Sequence, residues 1–144
     1  MFEHILVPFD FGKASERALD VAIDLAKAHG SRLTLLHVCE IPAYGYAGEL
    51  SAVDLLTPII EAAEKRFREL LRGTQARCPG AEGAFKVGFA SEEILAAVRD
   101  RACALVVMGT HGRRGIAHAL LGSVAEKVVR MSTVPVLTVR SSES

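Results

Sequence analysis

The sequence predicts an α/β fold in which helices cover both faces of a parallel β-sheet. Short apolar runs rich in β-branched residues alternate five times with longer stretches of helical periodicity along the 144 residues. Such alternation requires parallel strands joined by right-handed crossovers. The first apolar run is nearly continuous, as in strands that are covered on both faces. Residues 1–144 have the size of one domain, and the polar residues 141–144 are expected to fray.

The first part of the chain contains two strands on either side of a helix. Residues 4–9 (HILVPF) are predicted to form the first strand and residues 32–39 (RLTLLHVC) the second. Between them, residues 14–29 carry an apolar stripe of helical period, which Gly30 ends in a left-handed conformation. Residues 40–56 are irregular and are predicted to form a loop.

A second helix and a shorter strand follow this loop. The helix is predicted over residues 57–73, with Thr57 as the N-cap and Pro58 at the first helical position. Gly73 is expected to end this helix, because glycine is common just beyond a helix C-terminus. Residues 84–89 (AFKVGF) are predicted to form the third strand.

The last part of the chain repeats the alternation of helix and strand. Ser91 is expected to cap a helix over residues 92–102, and residues 104–110 (ALVVMGT) read as the fourth strand. The last helix is predicted over residues 123–131 and the last strand over residues 134–140 (VPVLTVR).

Composition excludes several classes of protein. Lys plus Arg equals Asp plus Glu at 17 each, so the chain lacks the basic excess of a nucleic-acid-binding protein or a polybasic membrane anchor. The start lacks the basic segment of a signal peptide, and no apolar run approaches the ~20 residues that a membrane span needs. Three widely spaced cysteines without a C-x-x-C pair predict a reducing compartment, hence the cytoplasm, and no zinc site.

A glycine-rich segment precedes the last helix and has two interpretations. Gly109, Gly112 and Gly122 stand at G-x2-G-x9-G spacing and are followed by Ser123. Backbone amides at the start of a helix can hold phosphate groups, which makes this segment a candidate phosphate cradle without a Walker lysine. Alternatively, Ser123 and Glu126 form an S-x-x-E capping box, and the glycines serve ordinary turns.

The ends of two strands predict where a ligand would bind. Ligands of such sheets bind beyond the carboxyl ends of the strands, where the strand order reverses. The first strand ends at Asp10 and the fourth at Gly109 and Thr110. If these two strands are neighbours, Asp10 and the glycine segment face one another across the crevice.

Two long segments resemble the universal stress protein family. These are HILVPFDFGKASERALDVAIDLAKAHGSRLTLLHV and LVVMGTHGRRGIAHALLGSVAEKVVRMSTVPVLTV, and the likeness is weakest over residues 40–90. The G-x2-G-x9-G-[ST] motif marks the ATP-binding branch of that family. The resemblance therefore implies a Rossmann-like, doubly wound sheet of five parallel strands in the order 3-2-1-4-5, with bound ATP and Mg²⁺ or Mn²⁺.

The resemblance also implies a set of binding residues. Asp10 would lie near the ribose and adenine and would serve the metal ion mainly through the phosphates, while the backbone of Val38 would read the adenine edge. Asp10 as a turn residue and Val38 as plain core are the alternatives. The full expected ATP site comprises Pro8, Phe9, Asp10, Val38, Met108, Gly109, Thr110, His111, Gly112, Arg113, Arg114, Gly122, Ser123 and Val124.

Two positions depart from the family pattern. The family often has serine or threonine where this chain has Gly12, so a hydroxyl that caps the first helix or touches the ribose is missing. An acidic residue is common just before the fourth strand, where this chain has Cys103 and Ala104. Neither change affects the phosphate motif.

The favoured function is an ATP-binding regulatory module of the stress response, with no catalytic residue and at most slow hydrolysis. A slow ATPase or phosphotransferase using His111, and a nucleotide-free dimeric interaction module, are the alternatives. A phosphorelay receiver would need two acids after the first strand, which has only Asp10, and a lysine beyond residue 127, where none follows. The apolar strand 134–140 predicts a homodimer through that edge, and the further protein partner is unknown.

Overall fold

The computed structural model describes residues 2–40, 52–111 and 121–141. The strands are β1 (His4–Pro8), β2 (Arg32–Cys39), β3 (Glu82–Val87), β4 (Leu105–Gly109) and β5 (Val136–Val139). The helices are α1 (Lys13–His29), α2 (Ala52–Arg77), α3 (Ala90–Asp100) and α4 (Ser123–Met131). Helix and strand therefore alternate in the predicted order. Of the predicted loop 40–56, residues 41–51 lie outside the described residues, as do residues 142–144 of the tail.

The sheet has the predicted topology. Its order is β3-β2-β1-β4-β5, and every neighbouring pair is parallel. All five residues of β1 are buried because this strand lies in the middle of the sheet with helices on both faces. The predicted α/β, doubly wound, Rossmann-like fold is confirmed.

Alternate residues of the central strands feed two separate cores. Ile5 and Val7 of β1 point into the core beneath α1 and α2, which also contains Phe67. Leu6 points into the opposite core, where α3 and α4 pack and where Val128 is fully buried. The period of two along β1 thus joins both helical layers to one strand.

Helix α2 is longer than predicted at both ends. It begins at Ala52, so Thr57 is not its N-cap and Pro58 lies inside the helix, at an exposed position. It continues through Gly73 to Arg77 because Thr74 and Cys78 are buried. Tertiary packing on this side therefore outweighs the local preference of glycine for a helix end.

Other boundaries differ by one or two residues. Ser91 does not cap α3, because the helix begins at Ala90 with Phe89 as the N-cap residue. The carboxylate of Glu40 accepts a hydrogen bond from the Ala90 amide at 2.9 Å, so the residue just after β2 supplies the acceptor that Ser91 was predicted to supply. Strand β5 begins at Val136, after Pro135, which has no amide to donate.

None of the described helices is long and apolar enough to cross a membrane.

Candidate functional site

The carboxyl ends of β1 and β4 lie side by side at the point where the strand order reverses. β1 pairs with β2 on one side and with β4 on the other, with Leu6 opposite Val106. The crossover from β1 thus leads to one half of the sheet, and β4 opens the other half. This is the position where open α/β sheets bind ligands.

Asp10 organises the turn that follows β1. Its Oδ1 accepts hydrogen bonds from the Gly12 amide at 2.8 Å and from the Ser15 hydroxyl at 2.7 Å, and the Ser15 Oγ accepts one from the Asp10 amide. Gly12 is the N-cap residue of α1, without a capping side chain. Asp10 therefore serves a turn through its Oδ1.

An aromatic cluster that the sequence analysis did not predict holds this turn in place. Phe11 has a φ of 66°, which is unusual for a residue other than glycine. Its ring packs edge-on against Phe9 and His37, at centroid distances of 5.1 Å and 4.9 Å. The guanidinium of Arg66 lies over the other side, 4.2 Å from the ring centroid. A histidine within an otherwise apolar strand was the available sequence signal.

His37 also binds the backbone of the turn. Its Nδ1 is 2.7 Å from the carbonyl oxygen of Phe9, which can only accept, so Nδ1 carries the proton and donates. The Phe9 side chain itself is buried in the core beneath α1 and α2. Phe9 therefore contributes to the site through its backbone, and its ring serves packing.

The end of β1 exposes backbone groups of β2. Pro8 pairs with Leu36, and the Phe9 amide donates to the Leu36 carbonyl, but β2 continues to Cys39. Backbone groups of successive strand residues point to alternate sides, and the Cys39 carbonyl bonds to the β3 side. The amide and carbonyl of Val38 therefore point toward the β1 side, beyond the last residue of β1.

Gly109 ends β4 at a place where no side chain fits. A Cβ atom there would lie 2.7 Å from the Ala14 Cβ, 2.8 Å from the Ala14 carbonyl carbon and 3.0 Å from the Ser15 nitrogen. Gly109 therefore allows β4 to pack closely against the start of α1. Met108, the residue before it, is buried in the core beneath α3 and α4.

Thr110 and His111 continue from β4 toward α4. The buried Thr110 donates its amide to the Val139 carbonyl of β5. The Nδ1 of His111 is 3.1 Å from the Thr110 hydroxyl oxygen. The His111 Nε2 is buried and has no hydrogen-bond partner among the described residues. Gly112, Arg113 and Arg114, also predicted for the site, lie outside these residues.

The start of α4 is tied directly to the end of β4. Gly122 is its N-cap residue and donates its amide to the Thr110 carbonyl at 2.6 Å. The predicted capping box is wrong, because Ser123 lies inside the helix and makes no capping bond, while Glu126 binds Arg130 at 3.0 Å. The first turn of α4 therefore carries amides that no described side chain caps, next to the exposed Ser123 hydroxyl.

A cleft of about 320 Å³ opens beside this helix start. It is lined by Glu40, Phe89, Ser91, Glu92, Ser123, Val124 and Lys127. Val124 is half-buried and packs against the core beneath α3 and α4. Two of the predicted ATP-site residues, Ser123 and Val124, thus belong to the first turn of α4 and also line the cleft.

Acidic and histidine side chains do not gather into a metal centre here. Within residues 2–40, 52–111 and 121–141, no three His, Cys, Asp or Glu side chains lie close enough to hold an ion.

Known proteins share both the sequence and the fold. The universal stress protein family model matches residues 1–140. A universal stress protein of Thermus aquaticus, named for the 3′ region of the QAH/OAS sulfhydrylase gene, is 36% identical over 140 residues, covering 97% of this chain and 100% of the relative. Universal stress protein MJ0577 of Methanocaldococcus jannaschii is 27% identical over 159 residues, covering 100% of this chain and 98% of the relative.

Solved structures agree with these relatives. The structure of MJ0577 superposes with a TM-score of 0.88 at 28% identity, covering 100% of this chain and 99% of that one. A crystal structure of a universal stress protein in complex with cAMP superposes with a TM-score of 0.71 at 26% identity, covering 98% and 99%. With a family match over nearly its whole length and the strand order 3-2-1-4-5, this chain belongs to the universal stress protein family.

Proposed function

We propose that this protein binds ATP and acts as a nucleotide-dependent regulatory module in the stress response. The observation that carries the proposal is the junction of β4 and α4, where the Gly122 amide binds the Thr110 carbonyl and the helix start has no side-chain cap. A related universal stress protein has been crystallised with cAMP, which supports an adenine nucleotide as the class of ligand.

The residues present fit the phosphate half of ATP. The first-turn amides of α4 have no side-chain cap, and the helix dipole there favours an anion. The Ser123 hydroxyl is exposed beside them, and the buried Nε2 of His111 has no partner among the described residues. Gly112, Arg113 and Arg114 of the glycine segment complete the proposed phosphate site.

The nucleoside half fits the ends of β1 and β2. The Val38 amide and carbonyl face the space beyond Pro8 and can pair with the adenine edge. The second oxygen of Asp10 can accept a hydrogen bond from a ribose hydroxyl or serve Mg²⁺ or Mn²⁺ held mainly by the phosphates. The phosphate oxygens of bound ATP would coordinate the metal ion, and this chain would orient the nucleotide.

We infer a binding role with at most slow hydrolysis. Oδ1 of Asp10 is occupied by the Gly12 amide and the Ser15 hydroxyl, so this carboxylate is committed to a turn. The Nδ1 of His111 is within hydrogen-bond distance of Thr110. Phosphoryl transfer requires a placed metal carboxylate, a group that orients the nucleophile and a charge clamp. Asp10 Oδ1 is engaged in its turn and His111 Nδ1 lies against Thr110, so neither atom is available for such a role.

Calorimetry of ATP binding tests the proposal. The parent protein is expected to bind ATP, and Gly122→Val is expected to abolish binding, because a branched side chain would fill the space above the helix start. The backbone of Gly122, with φ −70° and ψ 168°, is open to valine, so the loss would reflect space and not strain.

Gly73→Val is the matched control. Gly73 is exposed near the far end of α2, and nothing lies within 4 Å of the position of its missing side chain. This variant is expected to bind ATP as the parent does. If Gly122→Val also binds normally, the phosphate site lies elsewhere; if the parent does not bind ATP, the nucleotide-free dimeric module becomes the favoured function.

We further propose a homodimer through β5. This strand lies at one edge of the sheet, where its free backbone groups are open to pairing. Leu137 of β5 is 40% exposed, and Val129 and Met131 of α4 are also exposed. Antiparallel pairing about a two-fold axis would satisfy the edge and bury these apolar side chains.

Light scattering is expected to give about twice 15.4 kDa for the parent. Leu137→Asp is expected to give a monomer, because it places a charge in the apolar interface. Val136 packs against the core beneath α3 and α4, so the exposed Leu137 is the safer position to change. Ile59→Asp on α2, which packs at the other edge of the sheet, is the control and should stay dimeric. A monomeric parent, or a dimeric Leu137→Asp variant, would refute this interface.

We also propose that residues 1–144 form one universal stress protein domain that works in the cytoplasm. Cys39, Cys78 and Cys103 are free and buried. Burial raises the pKa of the Cys39 and Cys103 thiols, so both stay protonated and unreactive at neutral pH. Such thiols suit a reducing compartment.

A further inference from the structure

Phe89 is an aromatic side chain left in solvent at the mouth of the cleft between α3 and α4. It is 69% exposed, the highest value among the large apolar side chains of the described residues. It lines the cleft together with polar side chains and Val124. Five of the seven side chains that line the cleft are polar, so Phe89 and Val124 provide its apolar surface.

The backbone of Phe89 is fixed from two sides. The Glu40 carboxylate accepts the Ala90 amide at 2.9 Å, and the Glu93 amide donates to the Phe89 carbonyl at 3.0 Å. The Gly88 amide binds the Cys39 carbonyl at 3.1 Å, which ties the turn to the end of β2. The exposed ring therefore stands on a rigid support, and little backbone order would be lost when a ligand packs against it.

The cleft connects this ring to the candidate phosphate site. Ser123 and Val124, at the start of α4, line the cleft opposite the turn that carries Phe89. Glu40 lies two residues beyond Val38, whose backbone faces the end of β1. A cleft of about 320 Å³ lies at the lower end of the roughly 300–1,000 Å³ range of small-molecule pockets, which is enough for a planar base.

We propose that Phe89 stacks on the adenine base of the bound nucleotide and so contributes to the affinity for ATP. This inference rests on the proposed ATP binding and adds a residue outside the predicted site. Glu40 is a positioning residue, because it acts through the Ala90 amide and the turn. An aromatic ring can stack on a base through the faces of both, without a hydrogen bond.

The absence of tryptophan from the chain gives a direct probe. Phe89→Trp introduces one indole at the proposed stacking position. ATP is expected to quench its fluorescence, and the ATP concentration at half-maximal quenching should equal the dissociation constant measured by calorimetry. Ala76→Trp is the control: Ala76 is exposed near the carboxyl end of α2, away from the cleft and from β5, and its indole should not respond to ATP.

Phe89→Ala completes the test. It is expected to weaken ATP binding by roughly 5- to 150-fold, the loss that removing a base-stacking side chain produces. Because Phe89 is exposed, the variant should unfold at the same temperature as the parent. The inference is overturned if Phe89→Ala binds ATP as tightly as the parent, or if saturating ATP leaves the Phe89→Trp emission unchanged. A parent that does not bind ATP would refute the proposed function itself, and this inference with it.

Discussion

Replacing Gly109 by alanine is expected to lower the free energy of unfolding by roughly 1–3 kcal/mol, the usual cost of forcing an extra group into a packed site. The new Cβ would lie within 3.0 Å of three atoms of Ala14 and Ser15, and two of these are backbone atoms at the start of α1. A rotamer change cannot relieve such contacts, so α1 must move relative to β4. Urea denaturation with a two-state analysis measures the change.

Gly73→Ala is the matched control for this substitution. Gly73 lies within α2, is exposed and has open space around it. Alanine there is expected to raise the free energy of unfolding by about 0.5–1 kcal/mol, because a helical glycine loses more backbone entropy on folding. A Gly109→Ala variant as stable as the parent would show that the contact between β4 and α1 is not close-packed.

His4 is expected to make the stability of this protein depend on pH near neutrality. This residue is buried, with a relative exposure of 4%. Its Nδ1 is 3.1 Å from the Arg101 carbonyl oxygen, which only accepts, so Nδ1 carries the proton of the neutral ring. Its Nε2 then accepts from the Thr34 hydroxyl at 2.7 Å. The buried ring is thus fully paired in its neutral form.

Burial lowers the pKa of His4 below its ordinary value of 6.5, mainly by desolvation of the charged ring. Arg32 and Arg101 lower the pKa further, while the Arg101 carbonyl and the Glu82 carboxylate oppose the shift. A group with a lowered basic pKa takes up its proton more readily in the unfolded chain. Its contribution to stability is therefore complete above pH 6.5 and is lost as the pH falls toward the pKa of the folded state.

His4→Leu separates this contribution from other titrations. At pH 7 it is expected to cost about 1–3 kcal/mol, because the buried Thr34 hydroxyl loses its partner. Between pH 7 and pH 5.5 the variant should lose less stability than the parent. If His4→Leu shows the same loss as the parent over this range, His4 is not its source.

Much of the sheet could be predicted because each of its strands carries its own signal. Strands such as β1 and β4 are short apolar runs between turn residues, and the family resemblance supplied their order, which the structure confirms. Helix ends were harder. Pro58 and Gly73 are local signals for a helix start and stop, but the buried Thr74 keeps the helix going.

The candidate site was predicted less completely, for a similar reason. The G-x2-G-x9-G spacing predicted Gly109 and Gly122 as site residues, because glycine spacing is visible in the sequence. The sequence did not reveal the contact of Asp10 with Ser15 or that of His37 with the Phe9 carbonyl, because these contacts depend on how the folded segments pack. Phe89 gave no pattern at all: its exposure is known only once the cleft is formed.

The left-handed conformation of Phe11 bears on the order in which the chain assembles. A residue other than glycine held in such a backbone region costs about 1–3 kcal/mol, so neighbours must impose it. Those neighbours are His37 of β2 and Arg66 of α2, both distant in sequence. The turn that orients Asp10 therefore reaches its native shape only after β2 and α2 have docked. A partly folded chain containing only β1 and α1 would lack both contacts, so we expect the turn that carries Asp10 to remain unformed in it.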